Sequence, residues 1–142
     1  MPAVLGVDLG AGSLKATLVD DSGATLAEAA APITTLNPKP GWSEQDPAGW
    51  WQALQSVVPQ VLEKAGLPAS DIAAVGISAG AHIAVLEDAA GEVIRPAIMW
   101  NDQRSTREAA ELHERAGELI IAAGLNRANP TWTLCQLAWL QK

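Results

Sequence analysis

Two apolar runs, Ala3 to Leu9 and Leu14 to Val19, are separated by only four residues, two of them glycine. So short a gap admits a hairpin turn and excludes a crossover helix, so the two runs must pair antiparallel. Asp20-Asp21-Ser22-Gly23 is a second turn signal, and a third strand follows over Thr25 to Ala31. The N-terminal quarter therefore reads as a three-stranded antiparallel meander. Its first turn carries Asp8, Gly10, Ala11, Gly12, Ser13 and Lys15.

That turn has two readings. Glycines let backbone N–H groups approach an anion and form a concave nest, and a carboxylate at a strand end can hold a divalent cation. Lys15 adds positive charge if it shares the face. The other reading is a plain hairpin with a glycine turn. A P-loop is excluded, since GxxxxGK[ST] is missing and no helix follows the glycines.

Downstream, Asn37-Pro38-Lys39-Pro40-Gly41 must be loop. Asp46-Pro47 marks a helix start, with Asp as N-cap and Pro at the first helical position. Trp50, Trp51, Leu54, Val57, Val58, Val61 and Leu62 recur at helical spacing, Pro59 predicts a kink, and Gly66 closes the helix. Ile72 to Ser78 reads as a short buried strand and His82 to Leu86 as another, with a turn at Glu87 to Gly91 leading into Val93-Ile94. Asp102 to Arg115 is charged and helical, with Asp102 a candidate cap, and Leu119 to Ala123 forms a short helix ending at Gly124. His113, among charged neighbours, is expected to be solvated. Thr131 to Lys142 starts an amphipathic helix presenting Leu134, Leu137, Ala138 and Trp139 on one face.

Several function classes are excluded by composition. A net charge of −7 with scattered basic residues argues against nucleic acid. No apolar run approaches the roughly 20 residues of a membrane span, and no signal peptide is evident, so a cytoplasmic location is expected. One cysteine, Cys135, rules out an internal disulfide and reads as a small buried apolar group. Six Trp without Phe or Tyr make each Trp position informative.

Three further stretches combine with the hairpin: Gly41 to Pro47 with Trp50-Trp51, then Val75 to Ser78, then Arg95 to Arg104. In that order and at those separations, from Val4 to Trp139, the chain resembles the N-terminal domain of the FGGY carbohydrate kinases, the xylulokinases above all. The resemblance implies an α/β fold of the ribonuclease H-like, actin-like ATPase type, in which the meander is extended by parallel strands with flanking helices. It implies ATP and Mg²⁺ as cofactors and transfer of the γ-phosphate to a hydroxyl of a small sugar or polyol.

Carried over by position, Asp8 sits beside the metal and phosphates, and Gly10 to Ser13 face the phosphate with Lys15 nearby. Ala11 stands where most relatives carry Thr, which removes a hydroxyl from the turn. Trp42 is expected to pack against the sheet, with Asp46 as a structural cap. Xylulokinases carry Gln-Met-His along the sugar site, and this chain matches only His82, preceded by Gly80 and Ala81. Trp100, Asp102 and Arg104 complete the implied sugar-binding set, through an indole against the C–H face and paired hydrogen bonds to hydroxyls. The catalytic general base of the family, an Asp, falls beyond position 142, as does the lobe that holds adenine and ribose. Residues 1–142 are therefore expected to be an incomplete N-terminal kinase domain, inactive alone, whose partners are its C-terminal lobe, a sugar and a second copy of the chain. The alternative is a non-catalytic sugar- or partner-binding module that retains the fold. A cytoskeletal or chaperone ATPase shares the hairpin but leaves Trp100 to Arg104 without a purpose.

Overall fold

The computed structural model describes residues 2–142, which divide into two compact units. One comprises the chain up to Thr34 together with Asp46–Gly80, and the other comprises Thr35–Gln45 with Ala81–Lys142. Each is described separately.

In the first unit, strands β1 (Ala3–Leu9), β2 (Ser13–Val19) and β3 (Thr25–Pro32) form the expected antiparallel meander. Burial alternates along each strand, with Leu5, Val7, Leu14, Ala16, Leu18, Ala27 and Ala29 on the inward face. Helix α1 (Pro47–Ala65) covers that face through Ala53, Val57 and Val61. Alanines on β2 and β3 keep the sheet surface low, so the helix can pack closely onto it. Asp46 caps α1 by accepting a hydrogen bond from the Ala48 N–H at 2.9 Å, and Gly66 ends it with φ +64°. The assigned helix continues through Pro59.

Strand β5 (Ile72–Ala79) pairs parallel to β1, giving the sheet order β3-β2-β1-β5. A short β4 (Glu44–Gln45) belongs to the second unit. β5 was expected to be buried, yet Val75 is 58% and Ile77 76% exposed. Among the described residues, α1 packs on β2 and β3 and does not cover β5.

The second unit is built around β4 and β6 (Ala97–Ile98), paired antiparallel. Residues 82–86 do not form the expected strand; only Ala84 makes an isolated bridge, to Ile98. His82 has φ +59°, incompatible with an extended strand. The turn at Asp88 is present, its carboxylate accepting from the Ala90 and Glu92 N–H groups. These bonds, that to Glu92 foremost, hold Asp88 below the usual carboxylate pKa.

Helix α2 (Thr106–Gly124) starts after Ser105, not at Asp102, and Ala116 leaves the helical region at φ −145°. His113 is half-buried, where a solvated side chain was expected. Its Nε2 accepts from Arg127 Nη2 at 2.8 Å and Nε at 3.1 Å, and its ring lies against Gly117. Helix α3 (Thr133–Leu140) buries Cys135 and Gln136, while Leu134 and Leu137 remain 49% and 42% exposed. The buried face is thus set by Gln136, whose amide donates to the Met99 carbonyl, and not by the leucine stripe. No helix among the described residues is long and apolar enough to cross a membrane.

Candidate functional site

Parallel strands deliver their side chains to a common rim, and ligands of open α/β sheets gather at the carboxyl ends of such strands. Asp8 and Ser78 are register partners near the ends of β1 and β5, and Lys15 on β2 is the partner of Asp8 on its other side. These three line a cleft of about 410 Å³ floored by Gly6, Gly76 and Ile77. Glycines at paired positions 6 and 76 leave that part of the lining without side chains. Lys15 directs its ammonium to Glu28, at 3.6 Å, in an exposed pair of small energetic weight. Among the described residues the Asp8 carboxylate has no hydrogen-bond or ion-pair partner, so its oxygens are open to a ligand.

The adjoining turn is closed by Gly10 N–H donating to the Ser13 carbonyl at 3.0 Å. A Cβ at Gly10 would stand 3.2 Å from that carbonyl, a tight contact that the turn would have to relax. Gly12 has open space around it. Neither glycine adopts a positive φ. Ala11, Gly12 and Ser13 are all exposed at the tip.

In the second unit, Met99 to Asp102 makes a turn, with Asp102 N–H donating to the Met99 carbonyl at 3.1 Å. Its ends are buried, Met99 at 2% and Asp102 at 0% exposure, while Trp100 between them is 48% exposed. The turn thus presents the Trp100 indole outward from a fixed base.

Asp102 is the centre of that base. Its Oδ1 accepts from the Arg104 N–H and Nε, and its Oδ2 from Arg104 Nη2 and the Ser43 N–H at 2.6 Å. Arg104 also reaches Glu44 Oε1 at 2.6 Å, a carboxylate shared with Arg95. The Arg104 guanidinium lies 3.7 Å from the Trp42 ring centre, and Trp42 meets Trp139 edge-on at 5.4 Å. Trp42 therefore packs against Arg104 and Trp139. Burial alone would lower the Arg104 pKa, but its hydrogen bonds and charge attraction to Asp102 and Glu44 outweigh that and hold it above its ordinary value.

His82 is exposed and stacks on Trp132, the residue preceding α3, with centroids 6.2 Å apart and planes 20° from parallel. Four expected sugar-site residues thus divide in two. Trp100 and His82 offer open rings, whereas Asp102 and Arg104 have their polar atoms engaged inside the protein. Glu44, Trp132 and Trp139 were not anticipated. Nothing in local spacing marks them, because each is defined by a partner distant in sequence.

Residues 3–142 match the profile of the FGGY family of carbohydrate kinases, N-terminal domain. The chain belongs to this family. It is 36% identical to the xylulose kinase of Escherichia coli strain K12 over 138 residues, covering 97% of this chain and 28% of that protein. A glycerol kinase of Polaromonas sp. is also 36% identical, over 85% of the chain and 24% of that protein. Among solved structures, the xyloylose kinase of Brucella ovis superposes with a TM-score of 0.91 at 38% identity, over 97% of this chain and 29% of that one. The FGGY chain described here thus spans little more than a quarter of the length of these relatives, with the actin-like ATPase fold of the family.

Proposed function

We propose that this chain forms the N-terminal part of an ATP-dependent carbohydrate kinase, of the kind that phosphorylates a primary hydroxyl of xylulose or a related polyol. The observation that carries the reading is Asp8: an open, unpartnered carboxylate at the carboxyl end of β1, beside Lys15 and the exposed Gly10–Ser13 turn. Similarity to xylulose and glycerol kinases supports it. Among the described residues no three His, Cys, Asp or Glu side chains cluster to hold a metal by themselves. A lone carboxylate suits Mg²⁺, which commonly uses one or two protein carboxylates and takes its other ligands from phosphates and water. Asp8 would hold the ion, and the ion would offset charge on the phosphates. Ser13 is the side chain of the turn left to contact phosphate where Ala11 supplies no hydroxyl.

His82 and Trp100 are the sugar-facing groups in this reading, with Asp102 and Arg104 serving them by fixing the Trp100 turn. The general base and the adenine site belong to a further lobe, because phosphoryl transfer requires both substrates to be enclosed and aligned. Such a protein works in the cytoplasm, in keeping with its free, buried Cys135.

In the complete kinase, Asp8→Asn should lower kcat by about two to three powers of ten while leaving the sugar KM within a factor of about two. A near-normal kcat at saturating Mg²⁺ would remove the metal role. The alternative, a binding module without catalysis, is favoured by Ala11 and by Gly80-Ala81 before His82. It predicts no sugar-dependent ADP release from the complete protein.

A further inference from the structure

His82 is held in a conformation that a non-glycine residue rarely adopts, and left-handed backbone of this kind persists only where the surroundings impose it. The contact on its ring is Trp132, and 6.2 Å with near-parallel planes is offset stacking geometry. Trp132 is itself constrained. Its backbone N–H donates to the Asn129 carbonyl at 3.0 Å, and the benzo edge of its indole lies 3.5 Å from where a Cβ of Gly124 would stand, at the end of α2. That is ordinary van der Waals distance, so the indole lies against the end of α2. The neighbours Gly80 and Ala81 are too small to orient the imidazole.

We propose that Trp132 is a positioning residue, whose indole fixes the strained His82 and sets the direction in which its imidazole meets the sugar. The proposal rests on the reading of His82 as sugar-facing. It assigns to an aromatic wall behind the histidine the orienting task that a longer polar side chain at position 80 or 81 would otherwise perform.

Two variants, Trp132→Leu and Trp132→Phe, test it with two measurements. The first is NMR of the 142-residue protein, whose only imidazoles are His82 and His113. Trp132→Leu should move the His82 ring protons to the positions of an unstacked imidazole and leave those of His113 in place, while Trp132→Phe should retain most of the ring-current displacement. The second is kinetics of the complete kinase. Trp132→Leu should raise the sugar KM about tenfold with the ATP KM unchanged, and Phe should restore it to within about threefold.

Unchanged His82 resonances in Trp132→Leu would overturn the positioning role while leaving the sugar site standing. A parallel rise in the ATP KM would overturn it as well, by showing a general loss of structure. If His82→Ala leaves the sugar KM unaltered, the sugar-facing reading fails and the proposal with it, and the NMR result tells the two failures apart.

Discussion

Asp102 and Arg104 show how far a residue's role depends on partners it cannot choose locally. Both are fully buried at the side chain, and together with Glu44 they place two carboxylates and a guanidinium out of water. An ion network of this kind costs desolvation when formed, but removing one member strands the others. Asp102→Ala should therefore destabilise the fold by about 3–5 kcal/mol, read from urea unfolding, because Arg104 loses two of its anchors and the Ser43 N–H loses its acceptor. A loss under about 1 kcal/mol would mean the network does not hold this unit together. By contrast, Asp46 was legible as a cap because its bond to Ala48 spans two residues. Asp102 binds Ser43 across 59 residues, and no motif spacing announces such a pairing.

Helix α2 makes the same point for an element. The charged stretch and the apolar stretch after it read as two helices, and the structure has two helical stretches meeting at a kink at Ala116, in the gap between the two expected ones. Just beyond it, a Cβ at Gly117 would stand 2.9 Å from His113 Cε1, a contact that requires something to move. Arg127 pins that ring from the other side through Nε2, so it cannot simply rotate away. Gly117→Ala should then destabilise by about 1–2 kcal/mol, although alanine has the better helix propensity. In a His113→Ala background the same change should become stabilising by roughly 0.5–1 kcal/mol. A double-mutant cycle by thermal unfolding checks the change of sign, and additive effects would show that ring and backbone do not meet. Periodicity located α2, but it carries no information about an arginine beyond the helix end.

For the whole molecule, the notable exposure is on β5. It is the edge strand of its sheet, with Val75 and Ile77 open to solvent. Uncovered apolar edge strands promote self-association. Ile77→Lys should reduce light scattering of concentrated 142-residue protein by severalfold and shift its unfolding midpoint by less than a few degrees, as the side chain is already 76% exposed. Unchanged scattering would place the sticky surface elsewhere. The sequence by itself determined the meander, the capped first helix and the family, because alternation, turn residues and an N-cap all act within a few positions. It placed Asp8 at a strand end for the same reason, and short turns leave little freedom there. Tertiary structure decided which Trp meets Arg104, and which of the expected sugar residues keep their polar atoms free. Those outcomes turn on contacts between distant segments, where packing and charge burial choose among partners that local pattern treats as equal.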